Sequence, residues 1–280
     1  MSEDNETRVL LKLDFRNAFN TVHRDKMLLA VSQHIPQFYG FVWQMYRQSS
    51  LLSFGEFMLQ SSSGVQQGDP LGPLLYCLLT REMANSMHSP LNAWYLDDAT
   101  VGGPLETVER DLLAVVAMGR DVGLELNFCK CEALVYGGNE ASRAETTNRM
   151  RQRVPEIKLP SREELTLLGA PLLPPGVATA LEEKTAAISL LTSRLSILQA
   201  HQALFLLKNC LSAPKVLYTL RSSPAWMERE KLRELDNIIR SSLATITNTD
   251  MTDSVWRQAT LPVSRGGLGI RRTDELALPA

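Results

Sequence analysis

The sequence predicts an α+β fold, with an antiparallel sheet carrying helices on one face, followed by a mainly helical domain. Three observations predict it. Over the first 140 residues, short apolar runs and amphipathic stretches follow one another as strand, helices, strand pair, helix, strand. Beyond Pro174-Pro175-Gly176 the pattern is helical to about Ile246. Hydrophobic residues make up 44% of the 280 positions and charged residues 21%, enough to bury a core and to exclude a chain disordered throughout.

Val9-Leu10-Leu11-Lys12-Leu13 reads as a buried strand ending at Asp14. Asn17 to Ile35 reads as one helix, interrupted by Pro36, with a second helix through Tyr46. Leu51 to Gln60 suits a hairpin turning near Gly55, and Ser61-Ser62-Ser63-Gly64 a loop. Pro70 is expected to open a helix reaching about Met87, because the first turn tolerates a missing N–H. Leu91–Tyr95 and Ala99–Gly102 are short strands around Leu96-Asp97-Asp98. Pro104 to Val122 is an amphipathic helix closed by Gly123, and Glu132–Tyr136 is a further strand. Residues 137–161 are polar and irregular, with one basic helix around Arg149, Arg151 and Arg153. Leu165–Leu173 reads as a hairpin about Gly169. The organisation expected is therefore 1–140, a linker with its hairpin over 141–175, and a helical region over 176–280.

No run approaches the 18 or more apolar residues of a membrane span, so no membrane partner is expected. Met1-Ser2-Glu3-Asp4-Asn5-Glu6 is acidic and polar, unlike a secretory or transit leader. Cys129 and Cys131 form Cys-x-Cys, with Cys77 and Cys210 far away. That is neither a disulfide framework nor zinc-ligand spacing, and it suits a reducing intracellular setting. The net charge of −2 hides a division. Residues 1–140 hold 10 Lys and Arg against 17 Asp and Glu, and residues 141–280 hold 19 against 14. An acidic half joined to a basic half suits a metal-using site beside a phosphate-gripping surface, although ordinary solvated faces give the same count.

The chemistry centres on Asp97-Asp98 in Trp94-Tyr95-Leu96-Asp97-Asp98-Ala99. A tight hairpin turn lets at least one carboxylate project from its tip, and two crowded acids repel unless a cation lies between them. Asp14, at the end of another apolar strand, faces the same point if the two strands are neighbours. Hard oxygen ligands of this kind suit Mg2+ or Mn2+. A lone Asp-Asp pair is ordinarily a surface turn. The second candidate is Gly64-Val65-Gln66-Gln67-Gly68-Asp69-Pro70-Leu71-Gly72-Pro73-Leu74-Leu75, a loop through which backbone can approach a nucleotide or template base. Taken alone, it is equally a helix N-cap with Asp69 as cap.

Together these segments resemble a known family. Leu11-Lys12-Leu13-Asp14-Phe15-Arg16-Asn17-Ala18-Phe19-Asn20-Thr21-Val22-His23 resembles motif A of reverse transcriptases, Gln67-Gly68-Asp69-Pro70-Leu71-Gly72-Pro73 motif B, and Tyr95-Leu96-Asp97-Asp98 motif C. Gly123-Leu124-Glu125-Leu126-Asn127-Phe128-Cys129-Lys130-Cys131-Glu132 looks like motif D, and Leu167-Leu168-Gly169-Ala170-Pro171-Leu172 like motif E. Each motif is weak alone, but five in the family's order are specific. Their style, and the tail Ala259–Ile270, is similar to that of non-LTR, LINE-like retroelements.

The resemblance implies a right-hand polymerase palm followed by a helical thumb. It implies RNA-directed DNA synthesis on an RNA template from a DNA primer, with dNTPs as substrates and an RNA–DNA hybrid as product. Two Mg2+ ions, or Mn2+ in their place, would be held by Asp14 and Asp97 with the Phe15 carbonyl, and Asp98 would support them. Phe19 would be the steric gate against a ribose 2′-hydroxyl, with a plain core Phe as the bland reading. Gln67 and Gly68 would line the nucleotide and template pocket, and Tyr95 would pack beside the primer end. Lys130 would protonate pyrophosphate, or is a solvated surface lysine, and Gly169 would lie in the primer grip. Arg149, Arg151, Arg153, Lys208, Lys215 and Arg221 would grip duplex phosphates, while Trp226 and Trp256 would pack between thumb helices.

The chain also departs from the family pattern. Motif A starts within the first 15 residues, so fingers are expected from another chain or an upstream segment, and processive synthesis by this chain is expected to be weak or absent. Asn20 stands where many relatives have Asp, and Gly72 where many have Ser. The competing reading is a non-catalytic nucleic-acid-binding domain reusing the palm and thumb, and intact Asp14, Asp97 and Asp98 count against it. An RNA-copying RNA polymerase is disfavoured by Phe19 at the gate. An element of this type would work in the nucleus rather than the cytoplasm, although no clear basic targeting run is present.

Overall fold

The central strand, β1 (Arg8–Leu13), sorts its side chains by alternation. Val9, Leu11 and Leu13 are buried, while Lys12 and the following Asp14 are only half-buried. The structure is a computed structural model describing residues 6–280, so the acidic run at positions 1–5 lies outside the described residues. The chain divides into two compact units, Met1–Leu159 and Pro160–Ala280.

In the first unit β1 is followed by α1 (Ala18–Thr21), α2 (Arg24–His34), α3 (Pro36–Tyr46), β2 (Ser50–Phe54), β3 (Phe57–Ser61) and α4 (Gly72–Asn85). Next come β4 (Leu91–Tyr95), β5 (Asp98–Gly103), α5 (Leu105–Val122), β6 (Glu132–Tyr136) and α6 (Glu140–Arg153). The main sheet is antiparallel, in the order β4-β5-β1-β6. Leu11 pairs with Val101 on one side and Ala133 on the other, and Leu13 pairs with Ala99. These apolar ladders share one core with Leu75 and Leu79 of α4 and with Val108, Leu112 and Val115 of α5. The opposite sheet face carries Lys12, Asp14, Asp98, Thr100 and Glu132.

Three local differences from the sequence reading have physical causes. The helix expected over 17–35 breaks at Val22-His23, because the Val22 carbonyl accepts from Gly64 N–H and His23 N–H donates to the Val122 carbonyl, both at 2.8 Å. The helix expected from Pro70 starts at Gly72, because Asp69 Oδ1 accepts the Leu71 N–H at 2.9 Å and holds that turn outside the helix. The polar stretch 137–161 contains α6, whose Met150 is buried in the first core, so it is more than a connector.

The second unit opens with the hairpin β7 (Thr166–Leu167) and β8 (Ala170–Pro171). Helices α7 (Pro174–Ser193), α8 (Ala200–Leu206), α9 (Ala213–Ser222), α10 (Arg229–Thr247), α11 (Asp253–Thr260) and α12 (Thr273–Leu276) follow. Their core gathers Leu181, Ile188, Leu207, Val216, Leu220, Leu235, Ile239 and Trp256. Asp236 ties α12 to α10 by accepting the Thr273 N–H at 2.8 Å and hydroxyl at 2.9 Å. Trp256 is buried as expected, but Trp226 is 43% exposed and does not pack in the helical core. Among the described residues no helix is long and apolar enough to cross a membrane.

Leu11 sits where three strands and the helical layer meet. Leu11→Ala is expected to cost about 2–5 kcal/mol in urea unfolding. Leu113→Ala, on the exposed face of α5, should leave the midpoint unchanged. Equal midpoint shifts for the two variants would contradict this placement of the core.

Candidate active site

The register brings three acids to the region where β1 ends and the β4–β5 hairpin turns. Leu13 pairs with Ala99, so the next step along the two strands sets Asp14 opposite Asp98. Tyr95 pairs with Asp98, leaving Leu96-Asp97 as a two-residue turn. Leu96 takes φ 57, a left-handed conformation uncommon for a residue with a side chain. Asp14 and Asp97 are half-buried and Asp98 is exposed. The acids affect one another. Although the residue is exposed, partial burial of its carboxyl holds Asp98 above the ordinary range, Asp97 and then Asp14 push it further, and Lys12 opposes them. Lys12 also forms an ion pair with Glu132 at 2.5 Å, on the same sheet face.

The backbone after β1 is held from the other side. Asp14 carbonyl accepts the Asn127 N–H at 2.8 Å, and Arg16 N–H donates to the Glu125 carbonyl at 2.8 Å. The Asp14 N–H points to the buried Cys131 sulfur at 3.5 Å. Segment 124–131 thus steadies the Asp14 strand end. Lys130 lies on its exposed turn, with its N–H on the Asn127 carbonyl at 2.8 Å. Phe15 is buried, with its ring 6.3 Å from that of Trp94. Phe19 is half-buried and stacks on Tyr76 at 4.6 Å between ring centroids. Tyr95 is exposed.

The loop from Gly64 to Gly72 presents Gln67 and Gly68 to solvent. Gly64 is confined by geometry, since a Cβ there would lie 2.5 Å from the Asn20 backbone, and φ is +72. The Tyr46 hydroxyl donates to Asp69 Oδ2 and accepts the Gln66 N–H at 3.2 Å. Burial, then the bond to Asp69, push the Tyr46 phenol up to about 12. Arg24 is buried, donating to the Gly64 carbonyl at 2.9 Å and the Ser61 carbonyl at 2.8 Å. Gln66 Nε2 donates to the Ser50 hydroxyl at 2.8 Å. Sequence reasoning missed Arg24 and Tyr46, because their partners lie 20 to 40 residues away and no local pattern marks them. Lys12 did leave a sign, as the one charged residue inside an apolar strand.

The donor set suits a hard divalent ion in kind, since carboxylates on two neighbouring strands stand close enough for Asp97 and Asp14 to raise the Asp98 carboxyl. Among the described residues, no three His, Cys, Asp or Glu side chains are gathered as a ready-made cage. Mg2+ ordinarily needs only one or two carboxylates, taking its remaining ligands from water and substrate phosphates. The residues therefore fit such an ion.

In the second unit, Gly169 forms the hairpin turn with Leu168, at φ 77 and 50. The Tyr218 hydroxyl of α9 donates to the Leu168 carbonyl at 2.5 Å and fastens that turn. The arginines of α6 belong instead to the first unit. Arg149 forms ion pairs with Glu106 at 2.8 Å and Glu109 at 2.7 Å, and Arg153 lies 3.8 Å from Glu109. Both stand beside α5 carboxylates, which a phosphate would have to compete with.

Residues 1–172 match the family described as reverse transcriptase (RNA-dependent DNA polymerase). The 132 kDa protein of the SLACS retrotransposable element of Trypanosoma brucei gambiense is 27% identical over 288 aligned residues, covering 96% of this chain. The chain spans 23% of that protein's length. A solved structure of telomerase from Candida albicans, in complex with a fragment of telomeric RNA, aligns with a TM-score of 0.41 and 11% identity, over 88% of this chain and 41% of that one.

Two predictions test this geometry. Tyr46→Phe leaves Asp69 and Gln66 without their shared partner. It should cost about 1–3 kcal/mol and speed hydrogen exchange at Gln66 and Leu71; unchanged exchange would show that the loop is held otherwise. For Asp98, the folded value lies above the unfolded one, so its ionised form opposes folding. That penalty is absent at low pH and sets in as pH rises through the folded value. In metal-free melts, Asp98→Asn should raise Tm at neutral pH and leave it unchanged at about pH 3, below the ordinary carboxylate range. A lower Tm at neutral pH would count against the crowding.

Proposed function

Because the chain belongs to the reverse transcriptase (RNA-dependent DNA polymerase) family, we propose that it is the polymerase domain of a non-LTR retroelement, extending a DNA primer on an RNA template with dNTPs. The observation that carries this reading is the strand register. It brings Asp14 opposite Asp98, beside the strained turn that holds Asp97, on the sheet face away from the core. A chain of this family needs carboxylates at that point.

Asp14 and Asp97, with the Phe15 carbonyl, would hold two Mg2+ ions, and Asp98 would support them. Bound there, the ions supply charge stabilisation to the attacking primer 3′-oxygen and to the leaving pyrophosphate. The protein's own side chains do the remaining work. Phe19, fixed against Tyr76, closes the space that a ribose 2′-hydroxyl would need. The loop braced by Tyr46 and Arg24 offers Gln67 and Gly68 to the nucleotide and template base. Lys130, exposed on its turn, supplies a proton to pyrophosphate. Gly169 and the turn fastened by Tyr218 serve as a primer grip, with Tyr95 beside the primer end. Lys208, Lys215 and Arg221 contact hybrid phosphates through charge rather than sequence. The work of such an element lies in the nucleus.

Primer extension on an RNA template, with dNTPs and Mg2+ or Mn2+, tests the proposal. The wild-type chain should add a few nucleotides without processivity. Asp97→Ala/Asp98→Ala should lower the rate by at least about 100-fold while still binding the hybrid, as expected when charge stabilisation of the transition state is lost. A folded wild-type chain that binds the hybrid but never extends the primer would favour a binding domain instead.

A further inference from the structure

The glycine-rich tail of the second unit, Ser264-Arg265-Gly266-Gly267-Leu268-Gly269-Ile270, has no part in the acid site. It is nevertheless held closely. Leu268 N–H donates to the Ala259 carbonyl at 3.0 Å and Gly269 N–H to the Leu261 carbonyl at 2.9 Å, which folds the tail back onto the end of α11. Ile270 is then fully buried in the helical core, so the exposed Arg271 leaves that core at a fixed point. Gly269 takes φ +72, and a Cβ there would lie 3.2 Å from Lys208 Nζ and 3.3 Å from Lys208 Cε. The Lys208 ammonium thus rests against the tail at a position that suits glycine. Lys208 itself stands on a short π-helical turn, Leu207–Leu211, between α8 and α9. That turn is closed by Ser212 N–H on the Leu207 carbonyl at 2.9 Å. Such turns are rare in proteins and recur at functional sites.

Lys208 and Arg271 come from distant segments and line one cavity of about 320 Å3, with Asn209, Ser212, Leu217 and Gly269. No carboxylate is among the described residues that line it. Neither cation has an ion-pair partner among the described residues, whereas the adjacent Arg272 turns to Asp274 at 2.6 Å and Glu275 at 2.9 Å. The neutral groups of the wall are already engaged. Asn209 Nδ2 donates to the Phe205 carbonyl at 2.9 Å, and the Ser212 hydroxyl to the Lys208 carbonyl at 3.0 Å. What the cavity offers a ligand is therefore positive charge from two sides. Like charges facing one space repel, and a shared anion relieves them. A planar guanidinium fork beside a compact ammonium suits the several oxygens of a phosphate. We propose that this cavity is a phosphate-binding site, in which Arg271 and Lys208 share one phosphate group. The tail serves it by carrying Arg271 to the cavity and setting glycine against Lys208. A phosphodiester of a nucleic-acid strand and free inorganic phosphate present the same kind of oxygens. That the strand is the source rests on the polymerase reading of the chain, whereas the site itself does not.

The test uses the full chain, with fluorescence anisotropy of a labelled RNA–DNA hybrid in one arm and calorimetry with inorganic phosphate in the other. Lys208→Gln/Arg271→Gln should weaken binding at least about 10-fold in one arm or both, as expected when charge-assisted hydrogen bonds to a phosphate are lost. Loss of hybrid binding identifies a strand phosphate, and loss confined to inorganic phosphate identifies a free one; both support the site. Arg194→Gln/Arg257→Gln removes two exposed charges of the same unit outside the cavity and should cost less. Arg271 is exposed, so Arg271→Gln alone keeps the fold and is judged by the same limits where the double variant melts early. The inference is overturned if the cavity variant binds both ligands within about twofold of wild type, or if the wild type binds neither. Equal losses in the two double variants also overturn it, because the attraction is then diffuse. Primer extension beside these arms separates the two readings. A wild type that never extends a primer, while the cavity variant loses phosphate, keeps the site and drops the polymerase. A wild type that extends, with undiminished binding in the cavity variant, does the reverse.

Discussion

Everything at the site depends on the antiparallel register of β1 between β5 and β6. Side chains in a strand alternate at a fixed period of two, so one register decides both faces at once. With Leu11 against Val101 and Ala133, the apolar set enters the core. The same register leaves Lys12, Asp14, Asp98, Thr100 and Glu132 together on the other face. A slip of one residue would bury Lys12 and Asp14 among leucines, at a cost that no single hydrogen bond recovers. The core thus selects the geometry of the acids.

A second layer of constraint comes from side chains that secure loops. Arg24 donates to three backbone carbonyls, those of Gln48, Ser61 and Gly64, and Tyr46 bridges Gln66 and Asp69. Both are buried polar groups whose demands are met by loop carbonyls, amides and a carboxylate. The loop thereby gains a fixed shape although Gln67 and Gly68 remain exposed. The Leu168-Gly169 turn in the second unit follows the same logic, held by a single phenol from α9.

Some departures from local ease lie in the first unit, while the left-handed Leu168 and Asn248 lie in the second. Leu96 is left-handed, Asn17 beside the Phe19 helix is left-handed, Asp98 is crowded by Asp97 and Asp14, and the Tyr76 hydroxyl is orphaned. Each opposes folding, and the rest of the unit has to outweigh them.

The sequence by itself determined the class of fold, because apolar periodicity and turn residues act locally. Gly55, Gly123 and the Leu96-Asp97 turn fall where chain-local chemistry places them. The ordered motifs likewise made Asp14, Asp97 and Asp98 legible, together with the loop at Gln67-Gly68. Tertiary structure alone decided the rest. The break at Val22-His23 exists because Gly64 and Val122 supply hydrogen bonds from distant segments. The pairing of Arg149 and Arg153 with α5 carboxylates was not legible, because those partners lie some 40 residues earlier. Arg24, Tyr46, Tyr76 and Tyr218 left no local trace, since burial and partner are set only when remote segments meet. A residue's propensity is written along the chain, but what its polar atoms face is settled only once the chain has closed on itself.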